Sequence, residues 1–309
     1  MPRVRVMTYN VRYFGHGTRG LASTATAMGR IAQSIATLEP LADIVCLQEV
    51  ETRSLRATVA HPAPDGETQL ERLMAMLHRA MVQAGRREAY EAYYFPAHTY
   101  RLSFTPIYTT GLAVLARRDF EVSHHNCGRP FDITYRHIHP VKRLKQTRIC
   151  AHLRVRHRSG FDLDVFNTHL SLPTTLSREF WLEPRRMGWG PNQLEEVKNL
   201  VRFIEHERRS DRWFLVGDFN ALPGSPVYRH LVANGFSDPF ARYFRFDEED
   251  LVRWPTAGFM NMRMHLDHVF SGPALAWTDF DETHRFGHKT GRFRGLSDHV
   301  PIVGSFEVA

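Results

Sequence analysis

The sequence predicts an α+β protein in which two β-sheets pack face to face and helices cover their outer surfaces. Strand-like apolar runs are numerous, helical patterns are few, and short turn signals such as His-Arg-Ser-Gly at 157–160 separate neighbouring strands. Strands that follow one another through short turns favour two packed sheets over a regular alternation of strand and helix. The fold class expected is therefore a four-layer α/β/β/α sandwich.

Eight segments have the composition of β-strands. They are rich in Val, Ile, Leu and Phe, and several are apolar at both alternating positions, which indicates that both of their faces are covered. The predicted strands are 4–11, 43–50, 110–117, 148–155, 163–170, 213–220, 266–272 and 300–308.

Three segments place apolar residues at helical spacing along one face, as amphipathic helices do. These stripes are Met28, Ile31, Ile35 and Leu38 in 24–38; Leu70, Leu73, Met74, Leu77 and Met81 in 68–84; and Leu194, Val197, Leu200, Val201 and Ile204 in 192–208. A shorter helix is predicted from Ser225 to Asn234. Because no repeat, low-complexity tract or linker interrupts the pattern, residues 1–309 are expected to form a single domain.

Charge and composition indicate which binding partners and which cellular compartment to expect. The chain has 309 residues, of which 43% are hydrophobic, and a net charge of +7. This excess favours anionic partners such as nucleic acid, phosphorylated small molecules or an acidic membrane surface. The three cysteines suggest no disulfide framework, and we find no signal-peptide pattern and no apolar run of about 18 residues. We expect a cytoplasmic monomer without a protein partner.

Three stretches, 121–145, 173–191 and 281–296, are predicted to be long loops. They interleave basic and aromatic residues, a pattern suited to phosphate and base or sugar contacts, although ordinary solvated surface explains each loop equally well. The residues are His124, His125, Tyr135, Arg136, His137, His139, Lys142 and Arg143; Arg178, Trp181, Arg185, Arg186 and Trp189; and His284, Arg285, His288, Lys289, Arg292 and Arg294.

Polar side chains occupy the ends of the apolar runs. A single Asp or Asn after a strand is usually a turn or cap residue, whereas six such strand ends together indicate a site where strands meet loops. The residues are Asn10, Gln48, Glu49, Asn167, His169, Asp218, Asn220, Asp267, Asp298 and His299.

The residue types in this set restrict the chemistry. Carboxylate oxygens suit a hard divalent cation such as Mg²⁺, neutral amides and histidines suit a bound phosphate, and a further carboxylate can activate water. Together these groups favour metal-assisted hydrolysis of a phosphoester. Alternation along an extended strand would place Asp218 and Asn220 on one side, with Phe219 pointing to the other.

Five motifs carry a resemblance to a known family. They are TYN at 8–10, LQE at 47–49, NTHL at 167–170, GDFN at 217–220 and SDH at 297–299. In this order they resemble the endonuclease/exonuclease/phosphatase superfamily of DNase I-like fold, over residues 4–308. The resemblance implies two packed mixed sheets flanked by helices, with the site at one edge of the two sheets.

The resemblance also implies a metal ion, Mg²⁺ or alternatively Mn²⁺. Glu49 is implied as its principal ligand, and Asp298 as a second or water-mediated ligand. Asn10 is implied to hold the metal environment and the phosphate.

The remaining roles implied by the resemblance concern the water and the phosphate. Asp218 would align and deprotonate the attacking water, and Asn220 would hold phosphate or water beside it. His299, oriented and kept protonated by Asp267, would stabilise charge on the phosphoryl oxygens. His169 would donate to the phosphate from the other side.

Two substrate classes stay open. A nuclease or another phosphodiesterase acting on nucleic acid is favoured by the positive charge and the basic loops. A phosphatase or lipid phosphodiesterase of the sphingomyelinase or inositol-phosphatase kind is the alternative, with a membrane-touching loop at Phe180, Trp181, Met187 and Trp189. An inactive binding module is disfavoured because every motif residue is present. We predict hydrolysis of a phosphodiester in nucleic acid by an activated water.

Overall fold

The computed structural model describes residues 1–18, 24–51, 68–102, 105–135, 147–173, 186–259 and 261–308. The described strands are β1 (Arg3–Asn10), β2 (Ile44–Val50), β3 (Tyr90–Leu102), β4 (Thr105–Arg117), β5 (Phe120–His125), β6 (Phe131–Asp132), β7 (Ile149–His157), β8 (Asp162–His169), β9 (Trp213–Asp218), β10 (Ala257–Phe259), β11 (Met262–Met264), β12 (Asp267–Ser271), β13 (Leu275–Asp279) and β14 (Ile302–Val308). The described helices are α1 (Ala25–Ala36), α2 (Gln69–Gln83), α3 (Pro191–Glu207), α4 (Pro226–Ala233), α5 (Pro239–Phe244) and α6 (Glu248–Val252), besides short 3₁₀ turns at Arg12–Phe14 and His16–Thr18.

Twelve of these described strands form two mixed sheets, and β10 pairs with β11 in a separate two-stranded sheet. The first sheet has the order β13-β14-β1-β2-β4-β3, and the second has the order β12-β9-β8-β7-β5 with β6 paired to β7. β1 runs parallel to β2 and β8 runs parallel to β9, whereas the other pairs within these two sheets are antiparallel. Each sheet therefore contains one parallel pair, and the carboxyl ends of the two strands in such a pair lie at the same edge.

The alternation of side chains along the strands creates two cores. In β1, Val4 and Val6 belong to a buried cluster shared with the second sheet, whereas Met7 and Tyr9 belong to a cluster shared with α1 and α2. On the other side of the molecule, Val197 of α3 joins the cluster of the second sheet. The helices therefore cover the outer faces of the two sheets, as the sequence predicts.

The helices begin where the sequence supplies capping residues. The Thr24 side chain accepts from the Ala27 N–H at the start of α1, and Thr68 with Glu71 forms a capping box at the start of α2. Ser225 caps α4, which also has Pro226 at its first position. Side-chain oxygens at these positions satisfy backbone N–H groups that would otherwise lack partners, so the predicted helix starts agree with the observed ones.

One of the predicted loops is partly wrong. Segment 121–145 contains most of β5 and all of β6, both paired with β7. β5 is an edge strand whose residues after Phe120 are mostly polar or exposed, so it lacks the apolar signature used to predict strands. Segment 281–296 contains neither helix nor strand. The loop residues outside the described part of the chain are Arg136, His137, His139, Lys142, Arg143, Arg178, Phe180, Trp181 and Arg185.

Within the described ranges, no helix combines the length and apolar character required to cross a membrane.

Candidate active site

The two parallel strand pairs end at a common edge. β1 ends at Asn10 and β2 ends one residue beyond Glu49, while β8 ends at His169 and β9 ends at Asp218. The Asn10 amide nitrogen donates to Asp218 Oδ2 over 3.0 Å, a hydrogen bond that joins the two sheets. Four of the sequence-predicted site residues are thus brought together by the sheet topology.

Asn10 links two carboxylates. Its amide nitrogen also lies 3.3 Å from Glu49 Oε1, while its side-chain oxygen accepts from the Arg12 N–H over 3.0 Å. Its backbone carbonyl accepts from Ser297 Oγ over 2.7 Å. With its oxygen engaged in this way, Asn10 presents donors rather than a metal-binding oxygen to the carboxylates.

Glu49 leaves the regular geometry of its strand. A β-bulge lies between Gln48 and Val50 opposite β4, and Glu49 has a φ of +57°. A bulge redirects a side chain, and non-glycine residues with positive φ are concentrated at functional sites. Burial raises the pKa of Glu49, and the nearby Asp298 raises it further.

Asp218 is a nearly fully buried carboxylate. Its Oδ2 lies 3.5 Å from His169 Nε2 and 3.7 Å from His299 Nε2, and its Oδ1 accepts from the Asn220 N–H over 2.9 Å. Burial raises the pKa of Asp218 to about 7, with His299 acting in the opposite direction. A carboxylate with this pKa can gain and lose a proton at neutral pH, as a general base must.

The GDFN segment reaches the predicted arrangement by a different backbone path. β9 ends at Asp218 rather than at Asn220, and Asn220 has a φ of +47°. Both side chains still converge on His169, since the Asn220 amide nitrogen lies 3.2 Å from His169 Nε2. Phe219 points the other way and packs on His268 and Phe270. A turn residue in the left-handed region, and not strand alternation, therefore positions Asn220.

His299 is held between two carboxylates. Its Nδ1 lies 2.8 Å from Asp267 Oδ2, and Asp267 is in turn anchored by its N–H bonded to Thr256 Oγ1 over 3.0 Å. Burial alone would lower the pKa of His299, but the charges of Asp267 and Asp218 outweigh it and raise the pKa well above its ordinary value. His299 is therefore an imidazolium at neutral pH, with both ring nitrogens acting as donors.

The pKa of His169 is shifted in the opposite direction from that of His299. Burial lowers its pKa well below the ordinary value, and the positive charges of Arg148 and His299 lower it further. Since Asn220 Nδ2 also donates to the Leu170 carbonyl over 2.9 Å, the amide is oriented with its nitrogen toward His169 Nε2. The ring is neutral and accepts from Asn220 in this arrangement.

The carboxylates fit a hard divalent cation. Asp298 Oδ2 pairs with the Arg12 guanidinium over 2.8 Å, whereas within the described residues the one basic side chain paired with Glu49 is the neutral His169, at 4.0 Å. Among the described residues Glu49 forms no ion pair with Lys or Arg, although the charges of His299 and Arg148 act to lower its pKa, and oxygen donors of this kind are those that Mg²⁺ and Mn²⁺ prefer. Ligand atoms of Asp218, Asp267 and His299 also lie within 4.8 Å of one another, with His299 Nδ1 held by Asp267 and its Nε2 facing Asp218.

A buried polar network forms the floor of the site. Gln48 Nε2 donates to Thr8 Oγ1 and to Asn167 Oδ1, and Asn167 Nδ2 donates to the carbonyl of Leu47 on the opposite sheet. These hydrogen bonds tie the sheets together beneath the candidate site. The strand-end pattern identified Gln48 and Asn167 but gave them no role.

Sequence reasoning missed the polar residues at the start of α3. Gln193 Nε2 donates to the carbonyls of Asn220 and Ser171, and the Glu196 carboxylate accepts from the N–H and hydroxyl of Ser171. Both side chains are fully buried and hold the segments that follow β8 and β9. Their spacing continues the buried stripe that contains Val197 toward the start of the helix. Because both residues are polar, this spacing did not identify them as buried.

Arg148 was also missed as a site residue. It is 9% exposed, lines a small cavity together with Thr110 and His169, and its Nε has no hydrogen-bond partner. No carboxylate in the described chain forms an ion pair with it. A buried guanidinium without a carboxylate partner is a candidate anion-binding group. The sequence signal that could have identified Arg148 is its position as a basic residue immediately before the buried strand β7.

The sequence and the fold are similar to those of known proteins. The profile of the Endonuclease/Exonuclease/phosphatase family matches residues 7–299. An endonuclease/exonuclease/phosphatase family protein from Leptotrichia buccalis C-1013-b is 18% identical with a TM-score of 0.63, covering 98% of this chain and 99% of that one. ANGEL2, a 2′,3′-cyclic phosphatase, is 15% identical with a TM-score of 0.64, covering 98% and 95%. TDP2 from C. elegans is 19% identical with a TM-score of 0.56, covering 99% and 75%.

No curated protein matches the sequence significantly. At these identities the structural matches establish the fold, and they confirm the predicted DNase I-like sandwich of two mixed sheets flanked by helices.

Proposed function

The chain belongs to the endonuclease/exonuclease/phosphatase family and is a phosphoester hydrolase, and on that premise we propose that it hydrolyses phosphodiester bonds in nucleic acid with a bound Mg²⁺ or Mn²⁺. The observation that carries the proposal is Asp218, a buried carboxylate with a pKa raised to about 7 and placed between His169, His299 and Asn10. These neighbours supply what a water-activating base beside a phosphate requires.

Asp218 is proposed to orient the attacking water and accept its proton. Asn10 and the Asn220 N–H fix the two carboxylate oxygens, so the lone pair that takes the proton has a defined direction. Because burial raises the pKa of Asp218, proton transfer from water is more favourable than it would be to an ordinary aspartate.

His299 is proposed to stabilise the charge that develops on the phosphoryl oxygens. Asp267 holds Nδ1, which leaves the Nε2–H of the imidazolium to donate toward the phosphate beside Asp218. A preorganised charged donor at the developing charge costs no reorganisation during the reaction.

His169 and Asn220 are proposed to bind the phosphate from the opposite side. Donation by His169 Nε2 needs the second neutral tautomer, which a phosphate oxygen would favour over the tautomer that accepts from Asn220. The Asn220 amide, fixed by the Leu170 carbonyl, supplies a donor beside it.

Glu49 and Asp298 are the residues proposed to hold the metal. A divalent cation bound there would supply Lewis-acid polarisation of the phosphoryl oxygen. Asn10 would keep the Glu49 carboxylate in place through its amide nitrogen.

Two observations favour nucleic acid over a lipid substrate. The net charge of +7 suits a polyanion. The hydrophobic loop proposed for membrane contact is weakened because Met187 is 5% exposed and packs with Leu222 and Met264. In that loop Trp189 is exposed, and Phe180 and Trp181 lie outside the described residues.

The proposal is tested by measuring hydrolysis of single- and double-stranded DNA, RNA, sphingomyelin and inositol phosphates, each with Mg²⁺ and with EDTA. We expect cleavage of a nucleic acid, with binding that weakens steeply as salt rises because phosphate contacts release counterions. Turnover confined to lipid or inositol phosphates, or nucleic-acid binding that does not respond to salt, would replace the nucleic-acid assignment by the alternative.

Replacement of Arg148 by Gln should raise KM for a phosphodiester by about 10-fold or more with a smaller change in kcat. A charge-assisted hydrogen bond to a phosphate is worth about 1.5–3 kcal/mol, and each 1.4 kcal/mol is a factor of ten. Arg202→Gln on the exposed face of α3 is the matched control and should leave KM unchanged. Equal kinetic constants for wild type and Arg148→Gln would remove Arg148 from the phosphate site.

A further inference from the structure

A second group of metal-ligating side chains lies on the outer face of the second sheet. His124 of β5, His152 of β7 and Glu207 at the end of α3 have ligand atoms within 4.8 Å of one another. The His152 ring stacks on Phe166, at a centroid distance of 4.5 Å, on the face of β8 that is turned toward α3. The catalytic residue His169 follows three positions later on the opposite face, so the two groups are separate.

One ring nitrogen of His152, Nδ1, faces the other two residues of this group. The side chain is fully buried, its Nε2 lies 2.8 Å from Asp164 Oδ1, and its Nδ1 has no hydrogen-bond partner. Asp164 also accepts from Arg154 Nε and from the Arg209 N–H, so its oxygens act as acceptors in this network. A carboxylate acceptor at Nε2 places the proton there, which leaves Nδ1 as a lone pair.

The carboxylate facing that lone pair cannot donate to it. Glu207 Oε2 lies 3.9 Å from His152 Nδ1, and a carboxylate is itself an acceptor. The His124 ring lies on the same side, with its centroid 5.3 Å from that of His152. The buried His152 Nδ1 and the Glu207 carboxylate are both acceptors. Two acceptors that face each other in this way are stabilised by a cation between them.

The backbone directs His124 and Glu207 to this point. A β-bulge between Val122 and His124 shifts the register of β5 against β7, which re-aims the His124 side chain. The bulge brings a ligand atom of His124 within 4.8 Å of the ligand atoms of His152 and Glu207. Glu207 ends α3, where the helix dipole favours a cation.

We propose that His124, His152 Nδ1 and Glu207 bind a transition-metal ion of the Zn²⁺ class, with water at the fourth position. Two imidazoles and one carboxylate suit Zn²⁺ rather than Mg²⁺. The Asp164–His152 pair supplies the carboxylate behind a histidine ligand that commonly orients such sites. The ion would tie the edge strand β5 to β7 and to the end of α3.

The test is Zn²⁺ and Co²⁺ binding to the purified full-length chain in excess Mg²⁺, which occupies the catalytic carboxylates. Wild type should bind one equivalent, give the visible absorption of Co²⁺ with nitrogen and oxygen ligands, and gain thermal stability with Zn²⁺. His124→Gln and Glu207→Gln should each weaken this binding by at least about 10-fold and abolish the Zn²⁺-dependent rise in Tm. Both residues are at the surface, so the variants should fold.

His125→Gln is the matched control, because His125 is the adjacent exposed histidine of β5 and packs instead against Tyr93. It should bind Zn²⁺ as wild type does. Wild-type affinity in both His124→Gln and Glu207→Gln, or no binding to wild type in excess Mg²⁺, would overturn the proposal. Phosphodiester hydrolysis should be unchanged in His124→Gln, so failure of this site and failure of the catalytic assignment are distinguishable.

Discussion

Replacing Asp218 by Asn should lower kcat for phosphodiester hydrolysis by about 10²- to 10⁴-fold while the protein stays folded. The amide preserves the shape of the side chain but cannot accept the proton of the attacking water. Because burial disfavours the ionised form of Asp218, the neutral amide should be tolerated in the fold, although it removes the charge that Asp218 contributes to His299. The measurement is steady-state hydrolysis of bis-p-nitrophenyl phosphate with Mg²⁺, beside a thermal melt.

Asp238→Asn is the matched control for that substitution. Asp238 is also a buried carboxylate with a raised pKa, about 6, but it caps α5 by accepting from the Ala241 N–H and the Tyr228 hydroxyl. Asn is a good cap residue, so the variant should keep both fold and activity. If Asp218→Asn turned over substrate within a few-fold of wild type, Asp218 would not be the base.

His299→Ala should lower kcat by about 10²- to 10³-fold and move the acid limb of the pH–rate profile to higher pH. The imidazolium lowers the pKa of Asp218, so its removal leaves Asp218 and Asp267 facing each other without a cation. The base must be deprotonated to act, and a higher pKa for Asp218 therefore requires a higher pH for the same fraction of active enzyme. The measurement is kcat/KM as a function of pH.

His268→Ala separates this effect from loss of packing. His268 is buried next to Asp267, packs on Phe219, and donates from Nε2 to the Ala221 carbonyl, its one hydrogen bond among the described residues. Its removal should lower Tm but leave the pH–rate profile in place. An unshifted profile in His299→Ala would contradict the assigned coupling between His299 and Asp218.

The positions of the candidate site residues were predictable because four of the five motifs lie at the ends of strands of obvious apolar character, and the fifth, at 297–299, precedes the last strand. Parallel pairing of β1 with β2 and of β8 with β9 then carries Asn10, Glu49, His169 and Asp218 to one edge. Their orientations were less predictable. The sequence contains no signal for the bulge that redirects Glu49.

The buried polar residues near the site were the hardest to predict. Gln193, Glu196 and Arg148 are polar, and polarity normally indicates surface. Each is buried because it satisfies backbone groups or faces a cavity that only the assembled sheets create. The edge strand β5 was not predicted because most of its residues are exposed, and a strand of this kind has few apolar residues in its sequence.

The central claim is that Glu49 holds a divalent metal ion required for phosphodiester hydrolysis at the edge occupied by Asp218. Its most direct test compares hydrolysis of a nucleic-acid substrate by wild type and Glu49→Gln across a Mg²⁺ titration that starts from the EDTA-treated protein. We predict that wild type is inactive without metal and saturates with Mg²⁺, and that Glu49→Gln loses at least about 10²-fold in rate and requires more Mg²⁺. Full activity of wild type in EDTA, or a Mg²⁺ dependence of Glu49→Gln identical to that of wild type, would contradict it.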